Sequence, residues 1–378
     1  MHEGLRFQRP TLPGAEAVEA YLELSRAARW FSNFGPCAEL LRSRLTELVG
    51  RPCVVVANAT LGLIVSIAAL RERAPRGATD VLVPSFAFAA SAQAAFWNGY
   101  RPVFVDVDPD HWHLDPDALE NALDARASSV AMVVALSSFG VPPPPGVRRR
   151  WESSCASAGV PLLVDSAAGF GARAADGVPI GAQGDLEVVS FHALKPVSAG
   201  EGGAVFCREP DLAGSVAHLA NFAFDENHQA TLANGINAKI SEPAAAIGLA
   251  SLDELTDALA LRRVHAEEIL RALPAGFRTQ AGYARGTWQF VPIAAPSSSA
   301  RAAVLEECEA QSIGVRTYYD PLHQMPAFAD CERADSLAVT ESLGARMLSL
   351  PMAVDLDGDE IRAITDAVVA AAHAASRV

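Results

Sequence analysis

The sequence of 378 residues contains very little lysine. Lys195 and Lys239 are its only lysines, so 28 of the 30 basic residues are arginines. Arginine keeps its proton at all physiological pH values, whereas the amine of lysine can lose its proton when its surroundings favour the neutral form. A position that keeps lysine in this chain is therefore a candidate for chemistry that arginine cannot perform.

The sequence also lacks an excess of positive charge and long apolar runs. Its net charge of −14 at pH 7 argues against a nucleic-acid partner, because nucleic-acid binding requires a basic patch. It has no run of about 18 apolar residues and no apolar segment of signal-peptide type near residue 1. We therefore expect no membrane partner and a cytoplasmic location.

The six cysteines and nine histidines do not show the spacing of a metal site. None of the cysteines forms a Cys-x-x-Cys pair, and several stand in apolar runs, which is typical of buried, reduced thiols in a cytoplasmic protein. His111 and His113 could be interpreted as a pair of metal ligands, but the neighbouring proline and aspartate residues favour a surface loop. No metal site is predicted.

Short, continuously apolar segments alternate with longer amphipathic ones over the first part of the chain. Strands that helices cover on both faces have this character, which predicts an α/β fold with a mainly parallel sheet. The predicted strands cover residues 53–57, 80–84, 102–106, 129–136, 161–165, 186–192 and 203–207.

The pattern changes after Ser241. A long helical stretch over 241–273 is followed by an apolar segment at 287–295, a helix over 300–311, a strand near 314–319 and a last helix over 357–375. This order predicts a smaller α+β domain behind a connecting helix. The predicted division is an N-terminal arm with a large α/β domain over residues 1–250, and a small C-terminal domain over 251–378.

Chemically useful side chains follow several of the predicted strands. Thr60 begins the helix after the first strand, Phe88 follows the second, Asp165 ends the fifth, and Ser190 and Lys195 belong to the sixth strand and the turn after it. Ligands of open α/β sheets bind beyond the carboxyl ends of the strands, so these residues are expected to converge. A helix start, an aromatic ring, an acid, a hydroxyl and an amine are the groups that pyridoxal phosphate (PLP) requires.

Each of these residues also has a purely structural interpretation. Thr60 could cap its helix, Phe86 and Phe88 could belong to the core, and Asp165 could pair with an arginine. Lys195 could lie on the surface, as most lysines do. The convergence of all of them on one edge of the sheet favours the functional interpretation.

An ordered series of motifs resembles the DegT/StrS-type sugar aminotransferases, which are PLP enzymes of fold type I in the aspartate aminotransferase superfamily. The resemblance covers nearly the whole chain, from WFSNFGP at 30–36 to MLSLPM at 347–352. Its most specific parts are LVDSAAGFGA at 163–172, SFHALKPVSAGEGGAV at 190–205 and GINAK at 235–239.

The resemblance implies catalytic roles for two residues and a cofactor contact for a third. Lys195 corresponds to the lysine that forms the Schiff base with PLP and then moves the proton. Asp165 corresponds to the acid that pairs with the pyridine nitrogen and keeps it protonated. Phe88 occupies the position of the aromatic residue that stacks on the cofactor ring.

The remaining implied contacts concern the cofactor's phosphate. Ser190, Thr60 and the backbone N–H of Leu61 correspond to phosphate ligands within the subunit. Asn237 matches an asparagine that reaches the phosphate from the neighbouring subunit, which implies a homodimer with shared active sites.

The sequence departs from the family pattern at two places. The family usually has glutamine or histidine three residues after the aspartate, in contact with the phenolic oxygen of the cofactor, whereas this chain has Ala168. Where the family usually has Ser-Gly-Thr, this chain has Asn58-Ala59-Thr60. Lys195 is retained, although a dehydratase branch of the family has histidine there, and this favours transamination. Lys239, where relatives carry arginine, is the weaker candidate for the reactive lysine.

The expected function is PLP-dependent transfer of an amino group from an amino acid, L-glutamate, to a keto-sugar nucleotide in amino-sugar biosynthesis. A PLP-dependent sugar dehydratase, an aminotransferase for a cyclitol or other non-sugar ketone, and a non-catalytic PLP-binding regulator remain as alternatives. Substrate specificity is expected in the loop around Asn33 and in segments 221–235 and 314–328. There Tyr318, Tyr319 and His323 could line the cleft, or could equally be core or surface residues.

Overall fold

The structure is a computed structural model that describes residues 4–375. The chain forms an eight-stranded sheet with helices on both faces, and a second sheet of two strands. The strands are β1 Cys53–Val56, β2 Asp80–Pro84, β3 Arg101–Val105, β4 Val130–Leu136, β5 Leu162–Asp165, β6 Leu186–Ser190, β7 Gly203–Cys207, β8 Val291–Ala294, β9 Glu332–Arg333 and β10 Met347–Leu350.

Twelve α-helices occur within the described residues. They are α1 Ala15–Ala28, α2 Pro36–Val49, α3 Ala59–Leu70, α4 Ala89–Trp97, α5 Pro116–Ala125, α6 Pro145–Ala158, α7 Pro210–Ala220, α8 Glu242–Asp253, α9 Leu255–Arg271, α10 Ser298–Ala310, α11 Ala338–Gly344 and α12 Gly358–Ala375. No helix among residues 4–375 has both the length and the apolar character needed to span a membrane.

The large sheet has the strand order β1-β7-β6-β5-β4-β2-β3-β9. Neighbouring strands are parallel from β6 to β9, while β7 runs antiparallel to both β6 and β1. All seven predicted strands are present, which confirms the mainly parallel α/β fold.

Helices cover both faces of this sheet, and this explains the continuously apolar strands. In β1, Val54 and Val56 pack in the same cluster as Leu63 of α3, whereas Val55 packs with Leu41 and other residues of α2 on the opposite face. Because successive side chains of a strand point to opposite faces, a strand covered on both sides needs apolar residues at every position.

One buried carboxylate joins three helices at the N-terminal side of the molecule. Glu242, in the first turn of α8, is completely buried and accepts hydrogen bonds from the backbone N–H groups of Cys37 and Ala38 at 2.6 and 2.9 Å. These N–H groups belong to the first turn of α2, where a helix lacks internal acceptors and favours negative charge. Ser25 of α1 donates a third hydrogen bond at 2.7 Å.

The second half of the chain differs from expectation in two elements. The predicted strand near 314–319 is wrong, since this segment makes only a single bridge, from Arg316 to Ser349. The long helical stretch is two helices, α8 and α9, which meet at Glu254. The two-stranded sheet pairs β8 with β10, and its residues pack with α10 and α12 in one core cluster.

The C-terminal half also contributes to the large sheet, because β9 pairs with β3 at its edge. The proposed boundary between residues 250 and 251 falls inside α8. The division into domains at this point stays a prediction.

The expectation of a surface loop around His111 and His113 is wrong for the second histidine. His113 is completely buried, and its ring lies 5.4 Å from that of His111. Burial lowers the pKa of His113 to about 3, so its ring is neutral. The described residues contain no group of three or more His, Cys, Asp or Glu side chains placed to hold a metal ion.

Candidate functional site

A cleft of about 670 Å³ opens at the carboxyl edge of the large sheet. Leu136, Asp165 and Ser190, the last residues of β4, β5 and β6, all line it. Six of the seven predicted site residues line this cleft: Thr60, Leu61, Phe88, Asp165, Ser190 and Lys195. The parallel topology therefore brings together residues that are up to 135 positions apart in the sequence.

Lys195 lies in the turn that follows β6, and its backbone N–H donates to the carbonyl oxygen of His192 at 2.8 Å. Its Nζ donates to Oε1 of Gln289 at 2.7 Å. Burial lowers the pKa of Lys195 to about 8, although the carboxylate of Asp165 acts in the opposite direction. A substantial fraction of this amine is therefore neutral near physiological pH, as a nucleophile or proton acceptor must be.

Asp165 is only 2% exposed. Burial raises its pKa, while hydrogen bonds from Ser91 Oγ at 2.6 Å and from the backbone N–H of Ala167 at 3.1 Å favour the ionised form, as does Lys195. A buried carboxylate of this kind is best satisfied by a cationic N–H partner. A protonated pyridine ring placed in the cleft would provide such a partner.

The start of α3 forms another wall of the cleft. Asn58 is the N-cap residue, and its Oδ1 accepts a hydrogen bond from the backbone N–H of Leu61 at 2.9 Å. The N–H groups of Ala59 and Thr60 have no acceptor among residues 4–375. An anion placed here would meet free N–H donors, the positive end of the helix and the Thr60 hydroxyl.

Thr60 is therefore not the residue that caps the helix, because Asn58 performs that role. The Leu61 N–H, expected to bind phosphate, already has a partner in Asn58. Ser190, which lines the same cleft, accepts a hydrogen bond from the His192 N–H at 3.2 Å and keeps its hydroxyl proton for a ligand.

The aromatic residues separate into buried and accessible ones. Phe86 is completely buried, as its structural interpretation expects, whereas Phe88 is 56% exposed and lines the cleft. Tyr318 and Tyr319 also line the cleft, and the ring of Tyr319 stacks on that of Phe139 with the centroids 4.6 Å apart.

His323 does not line the cleft. It is 4% exposed, and its Nδ1 lies 2.7 Å from the Ser85 hydroxyl while its Nε2 lies 3.2 Å from Glu341. These contacts connect the residue after β2 with the C-terminal half of the chain.

Asn237 and Lys239 lie away from the cleft of their own chain. Asn237 is exposed and forms a bridge with Asn221, and Lys239 places its Nζ 4.7 Å from the centre of the Phe222 ring. Of the two lysines, Lys195 lines the cleft and Lys239 does not.

Several large apolar side chains are exposed, and two of them, Phe88 and Trp97, line the cleft. Trp97 is 78% exposed. Phe96, also in α4, and Phe88, just before α4, are exposed as well. Trp30 and Phe31, next to α1, are about half exposed. Exposed aromatic groups of this size typically mark a surface that a partner covers.

Sequence reasoning missed Gln289, the hydrogen-bond partner of Lys195, and Ser91, the partner of Asp165. Gln289 precedes β8 and is 94 positions from Lys195, and Ser91 is 74 positions from Asp165. Gln289 lies outside the motifs of the resemblance, and Ser91 lies three residues after Phe88 in a segment that the resemblance covers without implying a role for it. Only the folded chain brings each of them to its partner.

Comparisons with known proteins agree with this geometry. The family model of the DegT/DnrJ/EryC1/StrS aminotransferase family matches residues 14–369. Protein Rv3402c of Mycobacterium tuberculosis (strain ATCC 25618 / H37Rv) is 35% identical over 370 residues, which cover 96% of this chain and 89% of that protein. The dTDP-4-amino-4,6-dideoxy-D-glucose transaminase of Shigella dysenteriae is 26% identical over 383 residues, which cover 97% of this chain and 99% of that protein.

A solved structure shows the same fold. The crystal structure of DesI, studied in the presence of its TDP-sugar product, matches with a TM-score of 0.88 and 32% sequence identity. The match covers 100% of this chain and 97% of that chain.

Proposed function

Because the chain belongs to the DegT/DnrJ/EryC1/StrS aminotransferase family and is an aminotransferase of fold type I, we propose that it transfers an amino group from L-glutamate to a keto-sugar nucleotide in amino-sugar biosynthesis. The observation that carries this proposal is that the amine of Lys195 and the buried carboxylate of Asp165 line one cleft. Transamination needs both: an amine that can lose its proton, and an acid that keeps a pyridine ring cationic.

The residues of the cleft fit PLP, the cofactor that the family implies. When bound, PLP supplies a carbon that carries the transferred nitrogen and a ring that accepts the electron pair left when a C–H bond breaks. Asp165 would hold the ring nitrogen and Phe88 would cover the ring. The first turn of α3, with Thr60 and Leu61, and the hydroxyl of Ser190 would hold the phosphate.

Lys195 performs the proton transfers of the proposed reaction. Its Nζ, once neutral, takes the proton from the α-carbon of the amino donor, and the same nitrogen then returns it to a second carbon. The lowered pKa of Lys195, about 8, makes the neutral amine accessible without strong base. Hydrogen bonds donated by Ser91 and the Ala167 N–H favour the ionised form of Asp165, against burial, which raises its pKa.

A homodimer with shared active sites completes the proposal. Asn237 is exposed and does not line the cleft of its own chain, which supports a contact with the phosphate bound by another subunit. The exposed Trp97 and Phe88 give the second subunit an apolar surface to cover.

A nucleotide-linked sugar is the favoured acceptor for two reasons. The relative from Shigella dysenteriae is named for a dTDP-linked amino sugar, and DesI was crystallised with a TDP-sugar product. In addition, a cleft of about 670 Å³ has room for a substrate much larger than a simple keto acid. A sugar dehydratase, a cyclitol aminotransferase and a non-catalytic PLP-binding protein are the competing functions.

The test is a screen of the purified, PLP-loaded protein with ¹⁵N-labelled L-glutamate and a panel of keto-sugar nucleotides, read by mass spectrometry. Appearance of a ¹⁵N-labelled amino sugar supports the proposal. Loss of water without nitrogen transfer identifies a dehydratase, and amination of a cyclitol ketone alone identifies the cyclitol enzyme. Bound PLP that fails to react with any amino donor identifies a non-catalytic protein.

The residue that binds PLP is tested separately. Reduction of the loaded protein with borohydride followed by digestion is expected to leave the tag on the peptide that contains Lys195. A tag on the Lys239 peptide, or no tag, contradicts the assignment. The chain has no third lysine, so the two peptides are unambiguous.

A further inference from the structure

The segment Thr287–Gln289, just before β8, contacts three other parts of the chain. The Thr287 hydroxyl donates to the carbonyl oxygen of Ala168 at 2.5 Å. The carbonyl oxygen of Trp288 accepts a hydrogen bond from Nη1 of Arg262 at 2.8 Å, and Gln289 accepts one from Lys195 at 2.7 Å. Three consecutive residues are thus bound to the loop after β5, to α9 and to the turn after β6.

This arrangement fixes the backbone on which Gln289 stands. Thr287 and Trp288 are 0% and 3% exposed, and Arg262 is 6% exposed. The buried Arg262 makes no ion pair among the described residues, so its hydrogen bond to the Trp288 carbonyl is the polar contact that holds it there. Such a hydrogen bond from a charged donor, once buried, is costly to break.

Gln289 lines the cleft, and the oxygen and the nitrogen of its amide differ in their contacts. Its Oε1 accepts the hydrogen bond from Lys195, whereas its Nε2 has no acceptor among residues 4–375. Gln289 and Lys195 both line the cleft, so the two N–H bonds of this amide are available to an oxygen of a bound ligand.

We propose that Gln289 is a positioning residue for the proposed transamination: its Oε1 holds the free amine of Lys195 towards the reacting carbons, and its Nε2 offers a hydrogen-bond donor to the ligand. The roles towards the reacting carbons and the ligand rest on the proposed function, whereas the hydrogen bond between Gln289 and Lys195 is present in the chain itself.

The chemistry explains why an amide suits this position. Oε1 of Gln289 accepts one N–H of the neutral amine, and this hydrogen bond orients the amine without occupying its lone pair, which must take up a proton. A carboxylate would instead favour the protonated amine, and an apolar side chain would leave the amine free to rotate.

Gln289 also supplies a group that Ala168 cannot supply. The Ala168 side chain is a methyl group, and its carbonyl oxygen already accepts the Thr287 hydroxyl. That hydrogen bond ties the Ala168 loop to the segment carrying Gln289. An amide N–H near Lys195 therefore reaches the cleft from the segment before β8 rather than from the loop after β5.

The test measures the pKa of Lys195 in the full-length protein prepared without PLP. The rate at which acetic anhydride acetylates Lys195 is followed from about pH 6 to 10, because only the neutral amine reacts. Mass spectrometry of the digested protein reads Lys195 and Lys239 separately, so that Lys239 serves as an internal reference. The cleft contains five other titratable residues, and none of them is substituted in this experiment: Asp165, His192, Glu201, Tyr318 and Tyr319.

Two substitutions of Gln289 are expected to act in opposite directions. The Oε1 acceptor stabilises the protonated amine of Lys195 more than the neutral amine. Gln289→Leu removes this acceptor, so the pKa of Lys195 should fall by about half a pH unit to one pH unit. Gln289→Glu adds a negative charge, so that pKa should rise by about one to two pH units. Gln8→Leu is the matched control, because Gln8 lines the same cleft without a bond to Lys195, and it should leave the pKa unchanged.

Shifts of the Leu and Glu variants in opposite directions, with no shift in the Gln8 control, support the proposal. It is overturned if the Leu variant behaves like the control, if both Gln289 variants shift the pKa in one direction, or if the Gln8 control shifts it equally. Circular dichroism confirms that each variant is folded before titration. Since neither PLP nor substrate is present, this result is independent of whether the screen for amino transfer succeeds.

Discussion

At the residue scale, the amine of Lys195 is placed for reactivity at the expense of stability. Burial lowers its pKa from the usual 10.5 to about 8. The unfolded chain therefore binds this proton more tightly than the folded chain. It follows that the free energy of unfolding should increase with pH between about 8 and 10.5, and that the cost of burying Lys195 is fully present below about pH 8.

Replacing this lysine should therefore stabilise the protein in the absence of PLP. For Lys195→Met at pH 7 we expect the free energy of unfolding to rise by about 1 to 2 kcal/mol, a value reduced from the full effect because the side chain keeps some contact with solvent. The increase of stability from about pH 8 to 10.5 should also become smaller. Urea unfolding at several pH values measures both effects.

Lys239→Met is the control for this substitution, because Lys239 lies outside the cleft above the Phe222 ring. It should change the free energy of unfolding by less than about 0.5 kcal/mol at pH 7, because Lys239 is partly exposed. An unchanged pH dependence in Lys195→Met would show that this amine does not have the lowered pKa.

At the element scale, the first turn of α3 illustrates a competition between a protein side chain and a ligand. Asn58 accepts the Leu61 N–H, which is one of the donors expected to bind the phosphate. Asn58→Ala should lower the free energy of unfolding by about 1 kcal/mol without PLP, because a cap is lost. With saturating PLP this loss should become smaller, because the phosphate then accepts the same N–H.

Thermal and urea unfolding with and without PLP measure this difference. Ser297→Ala removes an equivalent cap from α10, where Ser297 accepts the Ala300 N–H away from the cleft, and its cost should not depend on PLP. An equal loss in Asn58→Ala with and without PLP would mean that the phosphate does not use the Leu61 N–H.

The junction of α1, α2 and α8 depends on Glu242. Glu242→Ala leaves the N–H groups of Cys37 and Ala38 without their buried acceptor, and it should lower the free energy of unfolding by about 3 kcal/mol. Chemical denaturation measures the loss. Glu267→Ala, at an exposed position of α9, should change stability by less than about 0.5 kcal/mol, and a similar result for Glu242→Ala would contradict the role assigned to this carboxylate.

The strands of the large sheet could be predicted from the sequence because their burial on both faces leaves a local signal, an unbroken apolar run. The segment 314–319 has a similar composition, but it pairs at Arg316 alone, and no local signal distinguishes it from a strand. The neighbours of His113 were equally misleading, since proline and aspartate occur there at the surface of a loop whose histidine is buried.

Lys195, Asp165 and Thr60 could be predicted because strand ends of a parallel sheet meet at one edge whatever the details of packing. Gln289 and Ser91 could not be predicted in this way. Their contacts with Lys195 and Asp165 depend on how distant elements pack, and a hydrogen bond across 94 residues has no signature in the local sequence.

At the scale of the whole molecule, shared active sites can be tested by mixing two inactive variants. Lys195→Ala removes the reactive amine, and Asn237→Asp places a negative charge where the phosphate of the partner is expected. If each site combines Lys195 of one subunit with Asn237 of the other, a mixed dimer has one intact site. Random exchange of equal amounts should then restore about a quarter of the wild-type aminotransferase activity.

The activity is measured after the two variants are dissociated together and allowed to reassociate. Each variant treated alone is the control and should stay inactive. If the mixture recovers no activity although mixed dimers are present, the two residues do not contribute to one site across the subunit boundary.

The unequal burial of the five tryptophans has a practical consequence for following association. Trp112, Trp151 and Trp288 are enclosed in the protein, whereas Trp30 and Trp97 are in contact with water. Indole emission moves to shorter wavelength when water is excluded, so the fluorescence of the unlabelled chain contains a component that responds to whatever covers the mouth of the cleft. Dilution through the dissociation range should shift this component to the red, and Trp97→Phe should remove most of the shift.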